Sequence, residues 1–188
     1  MHDRYRLRPI VESDLEMVRN WRNRDRIRKY MYTDHVISPA EHAEWFERLQ
    51  SDESRETCVM EYCDRPAGIV NYTRIDRATK KCLWGFYLAE PNLPRGSGTM
   101  LGYQSLEYAF GPLSMRTVTG EVLDFNEPSQ RLFERLGFSR DGLRKEPVIK
   151  DERIVEVHLY SMERTDWHGG HRGAVELLVT NRCAVRSK

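Results

Sequence analysis

Apolar positions along the chain follow two periods, and together they predict an order of elements. Residues 4–10 alternate charged and apolar side chains, as a half-buried strand does. Ser13-Asp14-Leu15-Glu16 has the form of a capping box, with Ser13 as cap and Glu16 reaching back. Leu15, Val18 and Trp21 or Arg22 continue at helical spacing, which predicts a helix to about Asn23, and the charged residues 24–30 predict a short second one. Ser38-Pro39-Ala40-Glu41 opens a helix to about Ser51, with Ser38 as cap and Pro39 at its first position. Residues 56–63 and 68–75 read as a hairpin, and 76–80 turn the chain into a third antiparallel strand.

Residues 82–110 then read as strand, glycine loop and helix. Leu83, Trp84, Phe86, Tyr87 and Leu88 form the apolar run, and Pro91 and Pro94 stop it. Arg95-Gly96-Ser97-Gly98-Thr99 lacks bulky side chains, and Met100, Tyr103, Leu106 and Phe110 follow at helical spacing. The free N–H groups of that helix's first turn point into the loop and attract an anion, with Arg95 adding charge. A lone Gly-x-Gly is more often only a tight connection. No Gly-Lys-Ser/Thr follows, and position 101 is Leu where a dinucleotide fingerprint needs glycine. A pyrophosphate cradle of another kind remains.

Residues 117–125 form the next strand, with an acid, Glu121, in its middle. Asn126-Glu127-Pro128-Ser129 caps a short helix containing Leu132, Phe133 and Leu136, and Gly137-Phe138 ends it. Residues 142–149 and 154–162 are expected to pair as a final hairpin turning at Asp151-Glu152. The expected division is one domain over 1–164 and a glycine-broken tail over 165–188, mobile or packed, with a short helix at 174–179. The order, without internal repeat, predicts an α+β layer around one sheet.

Composition narrows the class. A chain of 188 residues with 39% hydrophobic and 31% charged residues suits one globular domain, and a net charge of +1 gives no general basicity for nucleic acid. No apolar run reaches the ~18 residues of a membrane span, and the start of the chain has no apolar signal core, so a cytoplasmic location is expected. Cys58, Cys63, Cys82 and Cys183 lack paired ligand spacing and read as reduced thiols. His168-Gly-Gly-His171 has no partner carboxylate or cysteine nearby and reads as a solvated loop, so no metal is expected.

Two upstream stretches carry candidate binding chemistry. Residues 29–37 gather Tyr30, Met31, Tyr32, Thr33, Asp34 and His35, which suits a ligand with apolar and polar faces or a loop tucking aromatics into the core. His42, Trp45 and Leu49 share one helix face, so His42 looks into a cleft or is a satisfied surface residue.

The strand–Arg-Gly-x-Gly–helix, followed by Val122 and then Asn126-x-x-Ser129-x-x-x-Phe133-x-x-x-Gly137-Phe138, resembles the GCN5-related N-acetyltransferase (GNAT) superfamily over about residues 4–163. The resemblance implies a mixed, mostly antiparallel twisted sheet of about seven strands, helices on both faces, and a splay between strands 4 and 5 that holds acetyl-CoA. It assigns cofactor contacts to Tyr87, Leu88, Arg95, Gly96, Ser97, Gly98, Thr99, Asn126, Ser129 and Phe133. Trp21-Arg22-Asn23, Tyr30-Met31-Tyr32, Ile37-Ser38, His42, Trp45-Phe46, Trp84-Gly85-Phe86-Tyr87-Leu88 and Gly120-Glu121-Val122-Leu123 look like the pseudaminic acid biosynthesis N-acetyltransferases. That likeness implies a UDP-4-amino-4,6-dideoxy sugar as partner, a place in flagellin glycosylation, and room for a homodimer. Met31, Tyr32, Trp45, Trp84 and Tyr87 would then line the acceptor.

Two positions depart from the superfamily pattern. Leu93 stands where Gln or Arg is common, and Phe133 stands where many relatives carry a tyrosine proposed to protonate the leaving thiolate. Direct attack in a ternary complex is expected, with His42 as first candidate base and Glu121 as second. Protein N-terminal acetylation, as by ribosomal-protein acetyltransferases that share the C-terminal half, is the alternative. A non-catalytic acetyl-CoA-binding module is the further one.

Overall fold

The computed structural model describes residues 4–150 and 152–184, with side chains to residue 180; the Cys183 thiol and Asp151 lie outside the described residues. In chain order the elements are β1 (Tyr5–Pro9), α1 (Leu15–Arg22), α2 (Asp25–Arg28), α3 (Pro39–Ser51), β2 (Glu56–Tyr62), β3 (Arg65–Asp76) and β4 (Lys81–Leu88). There follow α4 (Ser97–Phe110), β5 (Thr117–Leu123), α5 (Glu127–Leu136), β6 (Ser139–Leu143), β7 (Val148–Lys150), β8 (Arg153–Val155), β9 (Val157–Glu163), α6 (Arg164–Asp166) and α7 (Arg172–Ala184).

Seven strands form one sheet in the order β1-β2-β3-β4-β5-β9-β6. Its ladders are antiparallel except β4 against β5, which α4 crosses over to make parallel. Alternating strand residues divide the core between two faces. Val59, Ile69 and Ala89 pack with Val18, Trp21 and Ile27 on one side. Cys58, Met60, Tyr72, Trp84 and Tyr160 pack with Met100, Leu106, Phe133 and Leu136 on the other. Helices thus cover both faces, as the resemblance implied.

The parallel pairing stops early. It runs only from Lys81↔Thr117 to Trp84↔Gly120, while β4 stays paired with β3 to Leu88 and β5 with β9 to Leu123. Beyond Gly120 the two strands part. The Phe133 ring lies so close to Gly120 that a Cβ there would sit 2.1 Å from it. α5 can approach this point only over glycine.

Two expectations need correction. Ser13 does not cap α1. A 3-10 turn at Glu12–Asp14 precedes the helix, and the Asp14 carboxylate accepts the Val11 N–H (3.0 Å). Arg8 on β1 pins that carboxylate at 2.6 and 2.8 Å, a tertiary contact the local motif does not contain. The expected hairpin over 142–149 and 154–162 forms in two pieces: residues 142–143 pair with 158–159 in the main sheet, where β9 lies between β5 and β6, and 148–150 pair with 153–155 beyond it. Gly142, at φ +124°, sits at the register shift that lets the chain bend away. Lastly, His168 and His171 are exposed, as expected, but lie in a helical segment kinked at Gly170 and not in a loop, with the His171 ring against Gly137.

The tail packs onto α4. Trp167 is fully buried, its indole N–H donates to Glu107 (2.8 Å), and Arg172 pairs with the same carboxylate (3.0 Å). Val175 and Val179 join the core, so the helix expected at 174–179 is part of the longer α7. Cys58 and Cys82 are buried, and burial pushes their thiols up to about 12. Neither is a ready nucleophile.

Candidate functional site

A cavity of about 780 Å³ opens where β4 and β5 part. The sheet splay divides it into two ends of different chemistry.

The first end is the start of α4. Gly96 adopts φ +98°, the left-handed conformation that turns the chain into the helix. The Ser97 N–H bonds Pro94 O (3.1 Å) and the Met100 N–H bonds Gly96 O (2.9 Å). The N–H groups of Gly98 and Thr99 have no acceptor among the described residues, so they remain for an anion. The Ser97 hydroxyl is turned inward to Pro94 O and Tyr5, leaving only its backbone toward the loop. Thr99 is buried, and its hydroxyl meets Arg135 (3.4 Å). Arg135, on the exposed side of α5, lines the cavity beside this end and was missed from the sequence. Its signal was its place one turn beyond Leu132 on the helix that Asn126 caps. Arg95 is exposed, with no ion pair among the described residues, and Leu93 packs on the core.

Asn126 Oδ1 accepts the Ser129 N–H (3.3 Å), and its Nδ2 has no partner among the described residues. Phe133 is 2% exposed and packs against Trp84, Phe138 and Tyr160 with ring centroids 4.7–5.1 Å apart. Trp84 belongs to this aromatic cluster, on the face of β4 opposite Tyr87. It backs the cavity from the α5 side and does not share a wall with Met31 and Tyr32.

The register of β4 sorts its amides. Tyr87 pairs with Ile69, and the Ala89 N–H bonds Ala67 O (2.8 Å), so alternation turns the polar groups of Tyr87 toward β3. The Leu88 carbonyl faces away from β3 and meets Arg26 (3.4 Å). The Leu88 N–H therefore lies along the open edge. Arg24 and Arg26 both donate to Ala89 O, clamping the end of the strand.

The second end is walled by Met31, Tyr32, His42, Trp45 and Tyr87. Tyr32 donates to Glu121, and Arg74 holds the other carboxylate oxygen (3.0 Å). Burial, then the Glu121 charge, pushes the Tyr32 hydroxyl above its usual range, so it stays a donor. Burial does the same to Tyr87. His42 is buried with its ring 4.9 Å from Trp45. Burial, helped by Arg19, lowers its pKa against the opposing pull of Glu41, which keeps the ring neutral. No hydrogen bond joins His42 to Glu121.

Arg22, Arg26, Arg48 and Arg55 line the cavity with the carboxylates Glu41 and Glu121. Arg48 pairs with Glu44 (3.7 Å) and Arg55 with Asp52 (2.8 Å), whereas Arg22 and Arg26 have no ion pair among the described residues. Arg22 spends Nη2 on Thr33 (2.8 and 2.9 Å), while its buried Nη1 has no partner among the described residues. No group of three or more His, Cys, Asp or Glu among the described residues could hold a metal ion, and no helix there is long and apolar enough to cross a membrane.

Orphan helix amides and Arg135 at one end thus face an aromatic-lined end that carries Arg22 across an open strand edge. A phosphorylated thioester fits the first, with Gly98 leaving room for its approach.

Residues 4–139 match a family model described as an acetyltransferase (GNAT) domain. Over 130 residues, 69% of the chain and 80% of the relative, the sequence is 29% identical to "Acetyltransferase PseH" of Campylobacter jejuni subsp. jejuni serotype O:23/36 (strain 81-176). It is 30% identical over 131 residues, 68% of the chain and 72% of the relative, to the uncharacterized N-acetyltransferase YokL of Bacillus subtilis (strain 168). Among solved structures, the spermidine N-acetyltransferase of Vibrio cholerae in complex with CoA and spermine superposes with a TM-score of 0.83 at 20% identity, covering 88% of this chain and 99% of that one.

Proposed function

We propose an acceptor for this chain, which belongs to the acetyltransferase (GNAT) domain family and is an acetyl-CoA-dependent N-acetyltransferase: the 4-amino group of a UDP-linked 4-amino-4,6-dideoxy sugar. This places it in pseudaminic acid biosynthesis, and so in the cytoplasm where acetyl-CoA and nucleotide sugars are made. The charge of the acceptor end carries the reading. Arg22, with a buried unpaired nitrogen, and Arg26 line the cavity without an ion pair among the described residues and suit a diphosphate. They would repel a polycation such as the spermidine acetylated by the structural neighbour. Met31, Trp45 and Tyr87 provide an apolar wall for the 6-deoxy methyl.

Acetyl-CoA supplies the activated acetyl group. The Gly98 and Thr99 amides and Arg135 hold its phosphates, Asn126 Nδ2 bonds its pantetheine arm, and Ser129 lies beside that arm. The Leu88 N–H is placed to polarise the thioester carbonyl. The amine nitrogen bonds the acetyl carbon as the C–S bond breaks and its electron pair stays on sulfur. Glu121, at the splay, takes the proton that the amine loses. His42, the first candidate from the sequence, also lines the cavity, but burial against Trp45 disfavours the imidazolium that taking the proton would form. Phe133 has no proton to give. A thiol with a reference pKa of about 8.5 leaves as thiolate or takes a proton from water.

Equilibrium binding of UDP and of spermidine tests the acceptor class. UDP should bind, and Arg22→Met should weaken it about tenfold while leaving CoA affinity within twofold. Spermidine binding more tightly than UDP would sink the diphosphate reading.

A further inference from the structure

The loop between α2 and α3, residues 29–38, forms a wall of the acceptor end yet contains no strand or helix. Side chains from elsewhere hold its backbone. Arg22 bonds Thr33 O (2.8 Å), Asn23 bonds both the N–H and C=O of Ile37 (2.8 and 2.9 Å), and Arg28 bonds Asp34 O (2.6 Å). These three residues lie just upstream of the loop. Lys150 reaches it from the other half of the chain.

The Lys150 ammonium donates to Lys29 O (2.9 Å) and Met31 O (2.7 Å) and lies 3.3 Å from Asp34 Oδ2. Its side chain is only 5% exposed. A buried ammonium is costly unless it is hydrogen-bonded and paired, and here the loop supplies two carbonyl acceptors and a carboxylate. The loop is folded around this charge. The flanking residues of the wall lean on the same half of the protein. Tyr32 bonds Glu121, the Arg144 guanidinium lies 5.9 Å from the Tyr32 ring, and Tyr30 stacks on Phe125.

Lys150 ends β7, whose hairpin with β8 is outside the main sheet. A lone two-stranded hairpin is marginal in water. Val148 and Val155 dock it on Leu123, just after Glu121 on β5, while Ile149 and its cross-strand partner Ile154 face outward. One small unit therefore touches the end of β5 and the wall opposite it.

We propose that Lys150 is a positioning residue for the acceptor: it sets Met31 and Tyr32 in the cavity wall and delivers Tyr32 to Glu121. The proposal rests on reading this end of the cavity as the acceptor site. Lys150 touches neither substrate, so its loss acts on the acceptor through the loop and leaves the α4 end unchanged.

Lys150→Met keeps the side chain's length and removes its two hydrogen bonds and its ion pair. In the unliganded protein, amide hydrogen exchange over residues 30–36 should rise at least tenfold while α4 stays as in wild type. In the transfer reaction, KM for the amino sugar should rise at least tenfold and KM for acetyl-CoA stay within twofold. Asp34→Asn, at a half-exposed site, should shift the same quantities in the same direction by less, and decides the matter if Lys150→Met does not fold. Unchanged exchange in the loop, or a parallel rise in both KM values, overturns the proposal. The exchange measurement needs no acceptor, so a wrong sugar assignment leaves it readable.

Discussion

The Tyr32 hydroxyl donates to the Glu121 carboxylate across 89 positions of sequence. That bond joins the irregular acceptor loop to the strand at which the sheet opens. Arg74 occupies the second carboxylate oxygen, so Glu121 is oriented from two sides. Tyr32→Phe removes one of the two anchors. A hydrogen bond to a charged group is worth about 1.5–3 kcal/mol, so kcat/KM for the acceptor should fall roughly ten- to a hundredfold. Glu121→Gln should lower kcat by about 10²–10⁴, the usual contribution of a positioned base. Steady-state kinetics on both variants check this, and wild-type kcat in Glu121→Gln would remove it as the base.

His42 makes a prediction in pH. Its folded pKa lies below the ordinary 6.5 because burial disfavours the imidazolium. The unfolded chain therefore binds more protons than the folded one in the window below 6.5. The stability that His42 contributes is complete above that value and is lost as pH falls through the depressed folded pKa. Urea unfolding from pH 7.5 to 5 should show a midpoint that falls with acid more steeply in wild type than in His42→Gln. With proton transfer placed on Glu121, His42→Gln should also retain the shape of the wild-type pH–rate profile. Loss of an acidic limb near neutrality would move the base to His42.

Packing under the splay is tight at Gly120. A methyl there would meet the Phe133 ring at 2.1 and 2.4 Å, and that ring is held by Trp84, Phe138 and Tyr160. Gly120→Ala should cost about 1–3 kcal/mol, the range for overpacked cores. Because α5 must shift, CoA affinity should weaken with it. Denaturant midpoints and CoA titration measure the two effects, and an unchanged midpoint would mean α5 moves freely.

Local signals were legible in the sequence. Ser38 and Asn126 cap α3 and α5 as their neighbours predict, because a cap is decided within a few residues. The alternating strands and the glycine turn into α4 were readable for the same reason. Glu121 stood out as an acid inside a strand, but Tyr32 and Arg74, which hold it, come from distant elements. Asp14 displaced Ser13 because Arg8 pulls it from β1. The pairing of β9 with β5 is long-range and strand periodicity does not encode it. In the tail, glycines suggested a break, while the burial of Trp167 on Glu107, 60 positions away, holds it in place. Lys150 and Arg22 support the acceptor wall through loop carbonyls that no local pattern marks.

The acceptor class is the claim on which the most depends, and one competition measures it. Purified protein with acetyl-CoA should be given the UDP-4-amino-4,6-dideoxy sugar, spermidine and a ribosomal-protein N-terminal peptide, each in turn. The acceptor end, with the buried Nη1 of Arg22 free for a phosphate, should give the sugar a kcat/KM at least a hundredfold above either competitor. Spermidine or the peptide acetylated as fast as the sugar would contradict the assignment.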